Sequence, residues 1–238
     1  MLAKRFGRSL LAFFSALILS AVLLLTAIEI NAFDLDFFRS EYVKLNTAEA
    51  IGISEPELMQ TTELLLAYIK GEQQDLRIKA VIKGVERQVF NQREIDHMVD
   101  VQRLYAVAHW LRNSGIVMLF LFLGLLLFLT GRKFWQFLAR GYLAGATVFL
   151  LFLGAIALAI SRDFLWFWNN FHYLIFTNDL WILNPETDIL IQMVPEQFFL
   201  DLVVRIIISF GLALLGLAAL AGFYLYRKSK NSYKNIKV

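Results

Sequence analysis

Four long apolar runs, at residues 9–30, 116–130, 142–160 and 202–226, constrain this chain more than any other feature. About 20 apolar residues cross the ~30 Å hydrocarbon layer as a helix. Only a helix, or a closed barrel, satisfies its own backbone there. The runs therefore predict an all-α integral membrane protein with four transmembrane helices. Hydrophobic residues make up 58% of the 238, well above the roughly 45–50% of a soluble domain. The second run is the shortest, and Trp110 and Leu111 help it reach the interface. A basic start with Lys4, Arg5 and Arg8 precedes the first run. That run is longer than the 7–15-residue core of a secretory signal, and no small-residue cleavage site precedes Glu29. It reads as an uncleaved first span.

Charge sets the orientation. The short flanks carry three basic residues at the N-terminus, three between spans two and three (Arg132, Lys133, Arg140) and five after span four (Arg227, Lys228, Lys230, Lys234, Lys237). Between spans three and four there is one, Arg162. Lys and Arg accumulate on the cytoplasmic side, so both termini are expected in the cytoplasm and both large loops outside. The net charge of +3 is explained by this membrane asymmetry rather than by nucleic acid. The chain has no cysteine, which removes disulfides, thiolate nucleophiles and cysteine metal sites from consideration.

Five segments follow: residues 1–30 as the cytoplasmic start and first span, 31–114 as an extracytoplasmic domain, and 115–160 as spans two and three with a short connector. Residues 161–201 form an outer interfacial loop, and 202–238 the fourth span with a basic tail. The first outer segment mixes ten basic with thirteen acidic residues and is expected to fold as a small α+β domain. Residues 37–51 and 57–70 look helical, with Ser54-Glu55-Pro56-Glu57 as a start and Gly71 as a stop. Residues 76–82 and 85–90 flank Lys83-Gly84 as a hairpin. Asn91 with Glu94 resembles a capping box opening the next helix, and Asn113-Ser114-Gly115 is expected to loosen that helix before the second span.

That helix carries the sequence's most suggestive polar cluster, Glu94, His97 and Asp100. At spacings of three their side chains lie near one face, where a carboxylate can orient or charge the imidazole. Histidine takes and returns a proton near neutral pH. A capped, solvated first turn would have the same composition. The second outer loop is strongly aromatic from Asp163 to Phe176 and contains His172. It is expected to lie in the interface, where His172 serves either chemistry or plain anchoring. Arg205 sits just inside the fourth run, where a charge calls for a partner or a polar cavity unless it snorkels. His109 has no acidic neighbour at helical spacing and reads as interfacial packing.

Glu94-x-x-His97-Met98-x-Asp100-Val101, together with Phe171-His172-Tyr173-Leu174-Ile175-Phe176, Trp181, Pro185, Asp188, Pro195 and Phe198-Phe199, resembles the bacterial lipoprotein intramolecular transacylase family across essentially the whole chain. Gln102 and Asn184 depart from the family pattern, which has a basic and an acidic residue there. The resemblance implies a cell-membrane acyltransferase that moves the sn-2 acyl chain of a diacylglyceryl-modified N-terminal cysteine to its α-amino group. Its substrate would be a diacylglyceryl lipoprotein in membrane lipid, with no nucleic acid, cofactor or metal. His97 and His172 would be catalytic at the extracytoplasmic face, with Glu94, Asp100, Asp188 and Arg205 supporting and Trp168, Phe171 and Trp181 holding substrate. His97 would be the base and His172 the donor to the developing oxyanion or leaving oxygen, or the reverse. Two other readings remain: a metal-dependent membrane hydrolase using His97, Asp100 and His172, and a non-catalytic lipoprotein-binding or assembly factor whose aromatic loop grips acyl chains.

Overall fold

A computed structural model describes residues 2–236, with side chains described for 4–231. Of the basic tail, Lys237 and the side chain of Lys234 fall outside that range. Nine α-helices and one hairpin follow one another among the described residues: α1 (Leu2–Ala32), α2 (Leu35–Lys44), α3 (Thr47–Ile51), α4 (Glu55–Lys70), β1 (Lys79–Ile82), β2 (Val85–Gln88), α5 (Gln92–Thr130), α6 (Phe134–Arg162), α7 (Phe164–Ile175), α8 (Ile189–Met193) and α9 (Glu196–Ile236). They form two compact units. One holds the residues up to Ile28, Trp110–Ala159 and those from Ile206 onward; the other holds Glu29–His109 and Ile160–Arg205.

The first unit is built from the apolar helices. Three stretches of the described chain are long and apolar enough to cross a membrane: Lys4–Ala32, Gln92–Arg162 and Glu196–Asn231. Where the sequence predicts separate second and third spans, the structure has one 71-residue stretch, interrupted by a 3-10 turn at Gly131–Lys133. The turn needs Gly131, whose φ is +51°, a region costly for residues with a Cβ. The loosening expected at Asn113-Ser114-Gly115 does not occur, and α5 runs through. Gly115 instead makes room for α1, since a Cβ there would lie 2.9 Å from Val22 Cγ2. The same device joins α1 to α6. A Cβ on Gly141 would lie 2.6 Å from the Ala12 backbone, and one on Gly145 would lie 2.7 Å from Ala16 Cβ. Lipid supplies no hydrophobic drive for helix association, so small residues that let backbones close are the main source of contact. Tyr142 completes the seam, buried and donating its hydroxyl to Leu214 O at 3.0 Å. Phe128, Leu151 and Leu212 point outward.

The second unit contains the α+β domain. Ser54 caps α4, accepting from the Glu57 N–H, and Gly71 ends it in the left-handed region at φ +79°. The hairpin pairs Ile82 with Val85 across Lys83-Gly84. Both turn residues have positive φ, as a two-residue turn matched to strand twist requires. The single helix expected over 37–51 is two, α2 and α3, because Asn46 adopts φ +52° between them. Asparagine is among the few residues that tolerate that conformation. Phe37, Phe38 and Tyr42 of α2 pack their rings on Phe198 of α9. Tyr42 is tied to Thr62 by a 2.8 Å hydrogen bond.

Candidate active site

The capping box foreseen at the start of α5 is formed. Glu94 N–H donates to Asn91 Oδ1 at 3.1 Å, and Asn91 N–H donates to Glu94 Oε2 at 2.7 Å. Glu94 Oε1 accepts from the Leu190 N–H at 2.6 Å. This carboxylate is therefore spent on two backbone donors, and no contact joins it to His97. Burial raises its pKa. Asp188, also buried, accepts from Asn91 Nδ2, from the Asn184 N–H and from the Thr187 hydroxyl. The two acids thus strap the 184–190 segment to the first turn of α5.

His97 stands one turn further along, 8% exposed. Its Nδ1 is buried with no hydrogen-bond partner, an arrangement that costs on the order of 1–3 kcal/mol unless a partner arrives. Burial first, then the nearby His172, push its pKa down to about 4, so the ring is neutral at pH 7. Asp100, whose spacing invited a pairing with His97, instead accepts from Asn178 Nδ2 at 2.8 Å and from Arg103.

His172 lies in the last turn of α7, buried on a helix that turns Trp166, Tyr173 and Leu174 outward. Its Nδ1 is 2.8 Å from the Trp168 carbonyl. A carbonyl only accepts, so Nδ1 carries the hydrogen and the neutral ring presents its lone pair at Nε2. Trp181 stacks on one face at 4.8 Å, and Trp168 meets the ring edge-on at 4.5 Å. Phe171 stacks on Trp168 and touches His172 at 5.5 Å, and Phe199 closes on Trp168 at 4.2 Å. Burial lowers the His172 pKa.

Phe176 joins the two histidines, 75 residues apart in sequence. Its ring lies 5.3 Å from His97 and 5.7 Å from His172, so both imidazoles pack on one aromatic ring. The segment after it is fastened to α5. Asn178 bonds Asp100, and its carbonyl accepts from Trp181 Nε1 at 3.1 Å. Arg93 donates to the Ile182 and Asp179 carbonyls. The expected supporting role of Arg205 finds it elsewhere, paired with Asp34 and set over the Phe37 ring; the pairing holds the Asp34 pKa down. Among the described residues no three His, Asp or Glu side chains converge as a metal-binding group. The sequence gives no sign of the parts that Phe176, Arg93 and Asn178 play, nor of the bond from Asn91 to Asp188. A polar residue in a loop carries no signal of which distant helix it will meet.

Helices long and apolar enough to cross a membrane, together with two buried histidines packed on one aromatic ring, define a helical membrane protein with an aromatic-lined polar pair. The model of the family described as lipoprotein intramolecular transacylase Lit matches residues 13–199, so the chain belongs to that family and is an acyltransferase of the membrane. The structure of the membrane-integral lipoprotein intramolecular transacylase Lit from Bacillus cereus superimposes with a TM-score of 0.72 at 21% identity, covering 98% of each chain. Two variants of that protein with one histidine replaced, by arginine and by alanine, each give 0.70. They are 18% and 19% identical, and each covers 96% of this chain and 95% and 96% of its own. No curated protein matched the chain.

Proposed function

We propose that the protein transfers the sn-2 acyl chain of a diacylglyceryl-modified N-terminal cysteine to the α-amino group of that cysteine, leaving a lyso-form lipoprotein. The observation that carries the mechanism is the pair of histidines on Phe176, one with Nδ1 committed to Trp168 and the other with Nδ1 buried and unpartnered. Amine and ester sit in one substrate, so proximity is largely built in and no acyl-enzyme is required. The neutral amine attacks the sn-2 carbonyl, the N–C bond forms, and the amine proton passes to His172 Nε2. The C–O bond to glycerol then breaks, and His172 returns the proton to the departing oxygen.

His172 suits the base role because its lone pair is fixed by Trp168. His97 suits it less, since Glu94 and Asp100 are bonded elsewhere and a conjugate acid near pH 4 holds a proton weakly. Neutral His97 instead donates to the carbonyl oxygen as negative charge grows there, the kind of contact whose loss costs roughly 2.7–4 kcal/mol in other enzymes. Trp168, Phe171 and Trp181 hold the acyl chain, and Asp188 keeps the 184–188 turn on the start of α5. Arg205 acts through Asp34 as a brace at the head of α9.

In the bilayer the chain makes four crossings with both termini cytoplasmic and the histidines outside. The 71-residue stretch, about three times what one crossing needs, turns back at Gly131–Lys133 beside its basic residues. His97→Ala and His172→Ala variants, expressed in cells lacking the activity, leave diacylglyceryl lipoprotein unconverted by mass spectrometry of the N-terminal peptide. Lyso-lipoprotein at the normal level from either variant overturns the two-histidine mechanism.

A further inference from the structure

Outside the histidine site, a second set of titratable side chains surrounds a cavity of about 550 Å³ lined by Glu29, Lys70, Glu72, Gln102, Tyr105 and His109, with the chain between Ile69 and Gly71 as one wall. Glu29 Oε1 accepts from the Tyr105 hydroxyl at 3.2 Å and lies 3.8 Å from His109 Nδ1. Lys70 Nζ sits 4.8 Å from the centre of the Phe33 ring, which itself packs edge-on against Tyr105. The last turn of α4 ends at this cavity, and Gln102 Nε2 donates to its Tyr68 carbonyl. The acyl transfer proposed above uses none of these groups.

Two features define what the cavity can hold. Its charges are of both signs: the carboxylates of Glu29 and Glu72 and the negative end of α4 on one hand, the Lys70 ammonium on the other, with the His109 ring nitrogens beside them. A purely anionic or purely cationic ligand would meet repulsion from half the wall. Its depth is also fixed by sequence. Glu29 lies in the last turn of the apolar run of α1, and His109 precedes Trp110, seven residues before the apolar run of α5 begins at Ile116, with Trp110 66% exposed. Aromatic residues at the end of an apolar run mark headgroup level. A zwitterion at that depth, with its cation and anion two carbons apart, has the chemistry of a phosphoethanolamine headgroup.

We propose that this cavity binds the headgroup of phosphatidylethanolamine. Glu29 and Glu72 receive the primary ammonium, with the Tyr105 ring of the cavity wall beside it, and Lys70 and His109 receive the phosphate. The three N–H bonds of a primary ammonium are what distinguish it from choline, which cannot donate to a carboxylate. Phosphatidylglycerol lacks the cation altogether and leaves Glu29 and Glu72 facing its phosphate.

The test is native mass spectrometry of the full-length protein released from detergent, given phosphatidylethanolamine, phosphatidylcholine or phosphatidylglycerol of identical acyl composition, or soluble phosphoethanolamine. Phosphatidylethanolamine is expected to be retained about fivefold or more over the other two lipids, the ratio that roughly 1 kcal/mol of charge-assisted bonding yields. Glu29→Gln, which keeps an acceptor for Tyr105, and Lys70→Met, at an exposed position, each abolish that preference while the lipid-free Tm stays unchanged. Equal retention of all three lipids means adventitious annular lipid only and overturns the proposal, as does a preference that survives both variants. Soluble phosphoethanolamine binding as tightly as the lipid overturns the membrane source in favour of a free ligand.

Discussion

At the scale of single residues, the decisive contrast is between two histidines that burial treats alike and hydrogen bonding does not. His172 has its Nδ1 satisfied by a carbonyl four residues back; His97 has none. A ring buried in its neutral form makes folding sensitive to acid. The folded pKa of His97 is about 4 against an unfolded value near 6.5, so the unfolded chain takes up a proton first as pH falls. Stability is then full above about pH 6.5 and declines toward pH 4. At ~1.4 kcal/mol per pH unit the decline amounts to about 3 kcal/mol. Thermal unfolding of the purified protein at pH 7 and pH 4.5 is expected to show a drop in Tm that His97→Gln makes smaller, the buried His172 keeping its own share. An identical drop in the variant would place the acid sensitivity elsewhere. Since burial also lowers the His172 pKa, the fall in kcat/KM on the acid side is expected below pH 6.5, and substrate amine protonation with a pKa near 7.7–8.0 shapes the rise above it.

At the scale of elements, the site is a strap: the loop between α7 and α8 is sewn to the start of α5 by side chains whose roles were only partly legible in sequence. Glu94 illustrates why. Its spacing from His97 suggested a pairing, while its spacing from Asn91 suggested a capping box; one carboxylate cannot do both, and the backbone donors of a helix start took it. Helix starts, the hairpin turn and the aromatic α7 were legible because each is set by residues within a few positions of one another. The contact of Asp100 with Asn178 was not, because it joins residues 78 apart through a loop. That contact gives a sharp prediction. Asn178 holds Asp100 with its amide and Trp181 with its carbonyl, and Trp181 stacks on His172, so it acts as a positioning residue. Asn178→Asp alone sets two carboxylates against each other, whereas Asp100→Asn keeps an acceptor for the Asn178 amide and loses only the charge of the bond. Asn178→Asp is expected to lower kcat by about tenfold or more, as loss of a charged hydrogen bond worth roughly 1.5–3 kcal/mol would, and Asp100→Asn to lower it less. The double variant reverses donor and acceptor and restores most of kcat. Failure of the swap to exceed the weaker single variant would show that the pair does not position Trp181.

At the scale of the whole molecule, the four apolar runs could be read from the sequence, but whether the middle of the chain crosses the bilayer twice depends on three residues. Gly131–Lys133 is a single 3-10 turn between α5 and α6, and Arg132 and Lys133 are both exposed. Placing such a pair within hydrocarbon is costly, which argues that the turn lies at a surface. The excess of basic residues there, at the N-terminus and after α9 argues that the surface is cytoplasmic. The natural absence of cysteine makes the chain its own background for labelling. Single substitutions Lys133→Cys, Lys83→Cys at the hairpin turn and Asn170→Cys on α7, each in an exposed position, would be treated in intact cells with a membrane-impermeant maleimide. The two outer positions are expected to react and Lys133→Cys only after lysis. The aromatic strap and the hairpin lie outside together only if α5 and α6 each cross once. Labelling of Lys133→Cys in intact cells would therefore move the turn to the outer face and take away the four-span path on which the placement of both histidines rests.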